Sequence, residues 1–373
     1  LYIIANRHEL LKASMAAERI APTRSPVEAL ECILLTTEDD ALTVASTNQE
    51  MALEQRISAE IREEGSLLVN AKWLSKMLKL LDGSEVSLRQ KSGGKVVISS
   101  GTAQYQIASP DVREYPRMDI PFPGHTVAVK GIPNIAKRTT FAVGDVEGRP
   151  YMKCVNLVFT KDGLKAFGSD GFRIAVAKGS SKGAASTSML LPAASFHRLA
   201  QLVDNKEELQ VGTTGKTVVF SKKDFRFSAR LMDGHYIDAD QIMNTMTKQF
   251  TVLTDAEQLY AAMASVTVVA GQQNRFSLAF QGNTLHIRCE SELGVSSTPL
   301  AVTALSGKPD GTFWYNPNTL AECLRAQTGT LLLEVAQRGV LLMKTDDLIC
   351  MQTAIREPKA IEQPQKKSKK KAA

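Results

Sequence analysis

Apolar and polar positions along this chain follow two periods, and the points where one period gives way to the other recur. In "DFRFSARL", Phe225, Phe227, Ala229 and Leu231 alternate with polar residues, which predicts a strand with one buried face. In "NAKWLSKMLKLLDG" the spacing is helical. At about 100° per residue, Trp73, Leu74, Met77, Leu78 and Leu81 share one apolar stripe, and Lys72, Lys76 and Lys79 share the opposite one. Asn70 stands where an N-cap is needed. In "FGSDGFRIAVA", an Asp-Gly pair separates two apolar runs, the pattern of a tight β-hairpin.

These patterns repeat. Three segments pass from a strand-like run into a helix-like one: "LYIIANRHELLKASMAAERI", "HTVAVKGIPNIAKRTTFAVG" and "KQFTVLTDAEQLYAAMASVTV". Their turn positions Arg7, Gly131 and Asp255 are 124 residues apart each time. A second helix follows 62 to 65 residues later in each copy: "VNAKWLSKMLKLLDG", "LPAASFHRLAQLVDN" and "YNPNTLAECLRAQTG". Each then leads into a strand pair. Short strands joined by Gly-rich turns predict antiparallel sheets rather than parallel βαβ units. The expected fold class is therefore α+β, with three similar antiparallel-sheet domains, each with two helices. The Pro-rich "IPFPGH" and the stretch near Met246 place the domains at residues 1–122, 123–246 and 247–361.

Composition narrows the class. The chain has 373 residues, 43% hydrophobic and 23% charged, as in soluble globular proteins. No apolar run approaches the roughly 18 residues needed to span a bilayer. The N-terminal stretch carries early charges and no small-residue cleavage pattern, so it is not read as a signal peptide. Cys32, Cys154, Cys289, Cys323 and Cys350 are scattered and odd in number, which predicts buried free thiols and a cytoplasmic protein. Of the net charge of +6, residues 362–373 ("EQPQKKSKKKAA") supply +4, from five lysines and one glutamate. This Lys-rich tail is expected to be disordered. It reads either as a nonspecific grip on phosphate or acidic surfaces or as a solubilising end.

No catalytic constellation emerges. His8, His125, His197, His235 and His286 form no i, i+4 pair and stand near no Cys pair, so no metal site is expected. "GTTGKTVVF" lacks the first glycine of a phosphate loop, since position 210 is Gln210, and strand-like residues follow where a helix is required. It reads as a hairpin turn, as does "QKSGGKVV". No cofactor is expected. Several helices instead present cations: Arg7, Lys12 and Arg19 on the first, the lysine row on the second, Lys137 and Arg138 on the third. Such rows suit a phosphate-facing surface. The third copy is poor in them, because "DAEQLYAAMASV" has no basic residue.

The whole pattern resembles the bacterial DNA polymerase III β subunit family, the sliding clamps, over roughly residues 1–357. "TNQEMALEQRI" is similar to that family's "TDLEM" strand, "SDGFRIA" to its "TDGHRLA", and "FSARLMDGHYID" to its "F-x-S-K-L-x-D-G-x-F-P-D". The resemblance implies the DNA clamp fold and a ring-forming, head-to-tail homodimer that encircles duplex DNA without regard to sequence. It implies a processivity factor, not an enzyme. Such a ring tethers a DNA polymerase and is placed by a clamp loader, both engaging it through short linear motifs; no membrane is involved. By position, the DNA-facing candidates are Arg24, Lys72, Lys76, Lys79, Lys137, Arg138, Arg149 and Arg198. The partner-peptide pocket would comprise Met152, Ser169, Gly171, Phe172, Arg173, Ile174, Ile237, Ile242, Met351, Gln352 and Thr353. Ring closure would use Tyr105 and Ile107 against Val268 and Val269. The sequence departs from the family at this pocket. Phe172 replaces the usual His, Ile237 a Pro, and "MQTAI" (Met351–Ile355) the C-terminal "MPMRL"-like segment. The alternative reading is a non-ring, nonspecific nucleic-acid-binding protein that grips through the Lys-rich tail.

Overall fold

Strand, helix, strands, helix and strands follow one another three times in the computed structural model, which describes residues 1–116, 120–183, 187–271 and 274–359. The Lys-rich tail and the expected third-domain end at Ile361 lie outside the described residues. Helix α1 spans Arg7–Glu18, α2 Ala71–Leu80, α3 Ile132–Thr139, α4 Ala193–Ala200, α5 Ala239–Asn244, α6 Ala256–Val266 and α7 Pro317–Arg325. Six of these are the helices expected from the repeat. The short α5 was not; it is capped by Asp238, whose Oδ1 accepts the Gln241 N–H at 2.9 Å. Both apparent phosphate loops are hairpins, with Thr214 opposite Thr217 and Lys91 opposite Lys95. All five cysteines are buried and free.

Spatially the chain forms two compact units, whose limits cut across the three repeats. The first comprises Leu1–Ala136, Leu157–Leu164 and Gly179–Gly234. It carries a 13-stranded antiparallel sheet whose path ends at the strand Ala103–Ala108. The long strand Met51–Glu63 organises it: its first half pairs with Ala41–Thr47 and Phe225–Arg230, its second half with Tyr2–Asn6. Leu10, Ala13 and Ala17 of α1 and Leu74, Met77 and Leu78 of α2 pack on Ile3, Ile33, Leu35, Val86, Leu88, Val96 and Ile98. The helical stripe of α2 differs from expectation at one position. Trp73 is 51% exposed, with Lys76 Nζ 5.3 Å from its ring centre, while Ala71 and Ser75 are buried in its place. A Trp side chain at the edge of an apolar stripe gains by stacking under a cation rather than displacing the close-packed α1.

The second unit comprises Lys137–Asn156, Lys165–Lys178 and from His235 onward. Six of its strands run in the order Arg173–Gly179, Leu348–Gln352, Leu341–Lys344, Thr330–Ala336, Lys248–Asp255 and Thr303–Gly307. A separate 4-stranded sheet runs Gly294–Ala301, Thr284–Ser291, Asn274–Gln281 and Asp310–Trp314. Phe250, Phe280 and Phe313 meet edge-on or tilted, with ring centres 5.0 to 6.3 Å apart, within the favourable range for aromatic pairs.

Candidate functional site

The Asp170–Gly171 turn is a hairpin with an unusually complete set of side-chain caps. Ser169 Oγ donates to the Arg173 carbonyl at 2.8 Å and accepts the Gly171 N–H at 3.1 Å. Asp170 Oδ1 accepts the N–H groups of Phe172 and Arg173, both at 2.9 Å. Gly171 sits at φ 90°, where a side chain would be strained. Thr47, Asn48 and Gln49 make the same turn in the first repeat: Thr47 Oγ1 donates to Met51 O at 2.9 Å, and Asn48 Oδ1 accepts from Glu50 and Met51.

What distinguishes the Asp170 turn is Arg173, which replaces Met51 at the equivalent position. Its side chain is 8% exposed. It donates to Asp170 Oδ2 at 2.9 Å, Glu322 Oε2 at 2.5 Å and the Phe141 carbonyl at 2.6 Å, and lies over the Phe141 ring at 5.4 Å. Burial works against its charge, but the Glu322 hydrogen bond and the Asp170 carboxylate outweigh burial and hold the guanidinium above its ordinary pKa. Gly144 permits the approach of this turn, since a Cβ there would lie 2.6 Å from Asp170 Cβ.

The pocket candidates all fall in the second unit. Arg173 pairs with Gln352 and Ile174 with Met351 across adjacent antiparallel strands. The Thr353 N–H extends that pairing to the Phe172 carbonyl at 2.9 Å. Met152, Ser169, Arg173, Ile174, Met351 and Gln352 are buried and offer little accessible surface. Phe172 is 70% exposed, Gly171 is exposed, and Ile237, Ile242 and Thr353 are half-buried; these offer accessible surface. The Tyr236 hydroxyl donates to the Cys154 carbonyl at 3.2 Å and lies beside the Ser169 backbone; burial pushes its pKa up. Lys165 and Asp240, 2.6 Å apart, tie α5 to the strand leading into the turn. Sequence reading missed Glu322 and Phe141. Neither is near Arg173 in the chain, and neither carried a motif.

The basic candidates divide. Lys72, Lys76 and Lys79 are exposed on α2, and Arg24 and Arg198 are exposed elsewhere in the first unit. Arg7, expected among the outward cations, instead donates to the Gly83 carbonyl at 2.7 Å and the Leu78 carbonyl at 3.0 Å, closing the end of α2. Two unsatisfied carbonyls there compete successfully with solvent for the guanidinium. In the second unit Lys137 and Arg149 are exposed, while Arg138 lies 3.5 Å from Asp347. Tyr105 and Ile107 are half-buried on the edge strand Ala103–Ala108; Val268 is 79% exposed just after α6, and Val269 is half-buried. Among the described residues no His, Cys, Asp and Glu group could hold a metal ion, and no helix is long and apolar enough to cross a membrane.

Paired helices on antiparallel sheets, repeated three times, define the class of the DNA sliding clamps. The solved structure of the DNA polymerase sliding clamp of Bacillus subtilis superposes with a TM-score of 0.89 at 19% identity, over 96% of this chain and 99% of that one. A putative DNA polymerase III β subunit of Eubacterium rectale gives 0.88 at 18% identity, over 95% and 99%. The chain belongs to the DNA polymerase III β subunit family: residues 1–119 match the family's N-terminal domain and residues 126–238 its central domain. Among curated relatives, the "Beta sliding clamp" of Bacillus subtilis (strain 168) is 23% identical over 339 residues, covering 87% of this chain and 89% of the relative. That of Micrococcus luteus is 24% identical over 273 residues, covering 72% and 87%.

Proposed function

We propose that this protein is a processivity factor: two copies, head to tail, encircle duplex DNA and tether a polymerase and a clamp loader through the wall around Phe172. The observation that carries this reading is membership of the β subunit family across the first two repeats, together with a preserved turn at Ser169–Arg173. The recurring element order and the limits of the matched segments support domains at 1–122, 123–246 and 247–361. Arg24, Lys72, Lys76, Lys79, Lys137, Arg149 and Arg198 would supply diffuse positive charge, which suits a ring that slides. Arg138 contributes less, because Asp347 partly neutralises it. The chain would be cytoplasmic and without catalytic activity of its own.

Negative-stain electron microscopy tests the reading. Six-lobed rings with a hole of about 20 Å or more, enough to clear a duplex whose major groove alone is about 12 Å wide, are expected. Compact three-lobed particles at high concentration would overturn it. The tail-dependent binder would then be examined with a chain ending at residue 361, which should lose nucleic-acid binding only under that alternative.

A further inference from the structure

Helix α2 leaves open a face that combines aromatic with cationic chemistry. Its buried side chains Leu74, Met77 and Leu78 fix it on the core of the first unit. Asn70 Oδ1 accepts the Trp73 N–H at 3.2 Å and anchors the first turn. On the opposite face Lys72, Lys76 and Lys79 are exposed, and α2 carries no carboxylate. Trp73 and Leu80 lie along one side of that row, 51% and 63% exposed. They are seven residues apart, or about 10 Å along the helix. Trp73 also borders a hollow of about 270 Å³, lined by Ala21, Pro22, Thr23 and Lys72 and by the carboxylates of Glu18 and Glu31. Lys76, which stands over the indole, is not part of that lining, so the ring borders space that the ammonium does not occupy.

We infer that Trp73 is a stacking platform for an unpaired base of single-stranded DNA, with the neighbouring phosphates held by Lys72, Lys76 and Lys79. An indole left at the surface forgoes the burial that Trp usually gains. Beside three exposed ammonium groups, the ligand that offsets this loss must offer a flat apolar face and negative charge together. A nucleotide offers both, and every base has a π-face, so the contact does not depend on sequence. Glu18 and Glu31 repel phosphate from the hollow, which therefore admits the uncharged base alone. In a duplex both faces of each base are covered by its neighbours. Trp73 thus distinguishes a single strand from a duplex, which the lysines by themselves do not. The inference goes beyond the encirclement of duplex DNA, because it assigns a second ligand, an unpaired stretch of strand, to the same helix.

Intrinsic fluorescence of the full chain tests the platform. The sequence has two tryptophans, so Trp314→Phe leaves Trp73 as the only indole emitter. Oligothymidine about 12 nucleotides long, within the usual site size of a stacking groove, should quench that emission saturably at low salt. A blunt duplex of the same length should quench it much less. In anisotropy titrations of labelled oligothymidine with the otherwise unaltered chain, Trp73→Ala should weaken binding about tenfold. The salt slope should stay the same, because no phosphate contact is lost. Trp73→Tyr should keep most of the affinity, whereas Trp73→Leu, which keeps bulk without a π-face, should not. Equal quenching by oligothymidine and by heparin, an anion without bases, overturns the stacking assignment. So does an unchanged affinity in Trp73→Ala, or full rescue by Leu. Duplex binding is measured on the same variants to keep the two readings apart. A chain that binds duplex normally but oligothymidine no better than Trp73→Ala does loses only the platform. A chain that binds neither loses the encircling reading as well.

Discussion

Arg173 and Glu322 lie 149 residues apart in sequence and 2.5 Å apart in the fold. The guanidinium that begins the strand Arg173–Gly179 is thereby held to α7, and the same side chain caps the Phe141 carbonyl. One buried cation thus ties three segments together behind the Phe172 turn.

Removing that cation takes a donor from Asp170 Oδ2, Glu322 Oε2 and the Phe141 carbonyl. Arg173→Ala should lower stability by about 3 kcal/mol, in the range for breaking a buried ion pair from one side. Arg173→Lys should recover only part of it, because an ammonium cannot reach three acceptors with fork geometry. Urea unfolding followed by circular dichroism gives the measurement. A change under about 0.5 kcal/mol for Arg173→Ala would show that the network is not structural.

Phe172 is the opposite case, prominent but unsupported. Phe172→Ala should leave the unfolding midpoint within about 0.5 kcal/mol of the parent, as for most exposed positions. It should weaken binding of a fluorescent clamp-binding peptide about tenfold or more, as aromatic anchors at interfaces do. Anisotropy titration separates the two effects; an unchanged peptide affinity would remove Phe172 from the site.

With Phe172, Ile237 and "MQTAI" in place of the family's usual residues, the unmodified protein should also bind that consensus peptide more weakly than the Bacillus subtilis clamp does. Equal affinities in parallel titrations would refute an altered specificity.

Glu334 is buried between Lys248 Nζ at 2.8 Å and Lys344 Nζ at 2.6 Å. Burial raises its pKa, but hydrogen bonds from Lys248 and Lys344 prevail and hold it below the ordinary 4.5. A depressed folded pKa stabilises the protein above the ordinary value, and the contribution disappears as pH falls through the folded value. Glu334→Gln should therefore melt a few degrees below the parent at pH 7, about what 1 kcal/mol produces in a large domain. The gap should narrow as pH falls below 4.5 and through the folded value. A gap that is the same at pH 3 and pH 7 would contradict this account.

The lysine row of α2 should act on DNA only through charge. Replacing Lys72, Lys76 and Lys79 by Ala should reduce the slope of log affinity against log salt by about 2 to 3, since each phosphate neutralised by a cation adds roughly 0.9 to that slope. It should not change any preference among DNA sequences. Titrations of duplex DNA at several salt concentrations check it, and an unchanged slope would place α2 away from the phosphates.

Sequence alone determined the repeat, the six expected helices, the antiparallel hairpins and the turn at Asp170, because periodicity and turn chemistry act within a few residues. It also determined that the cysteines would be buried and free. The family resemblance singled out the segments around that turn as pocket candidates. What the tertiary structure decided is where competing partners come from distant parts of the chain. Trp73 left its stripe because the place beside α1 was filled, and Arg7 turned its guanidinium onto the end of α2 because two carbonyls stood there. Arg173 became a buried tie only once α7 and Phe141 were brought beside it. The pairing of Arg173 with Gln352 likewise has no local signal. A strand's sequence specifies which face is apolar, while the neighbour it meets, and at which residue, is decided when sheets assemble over long separations.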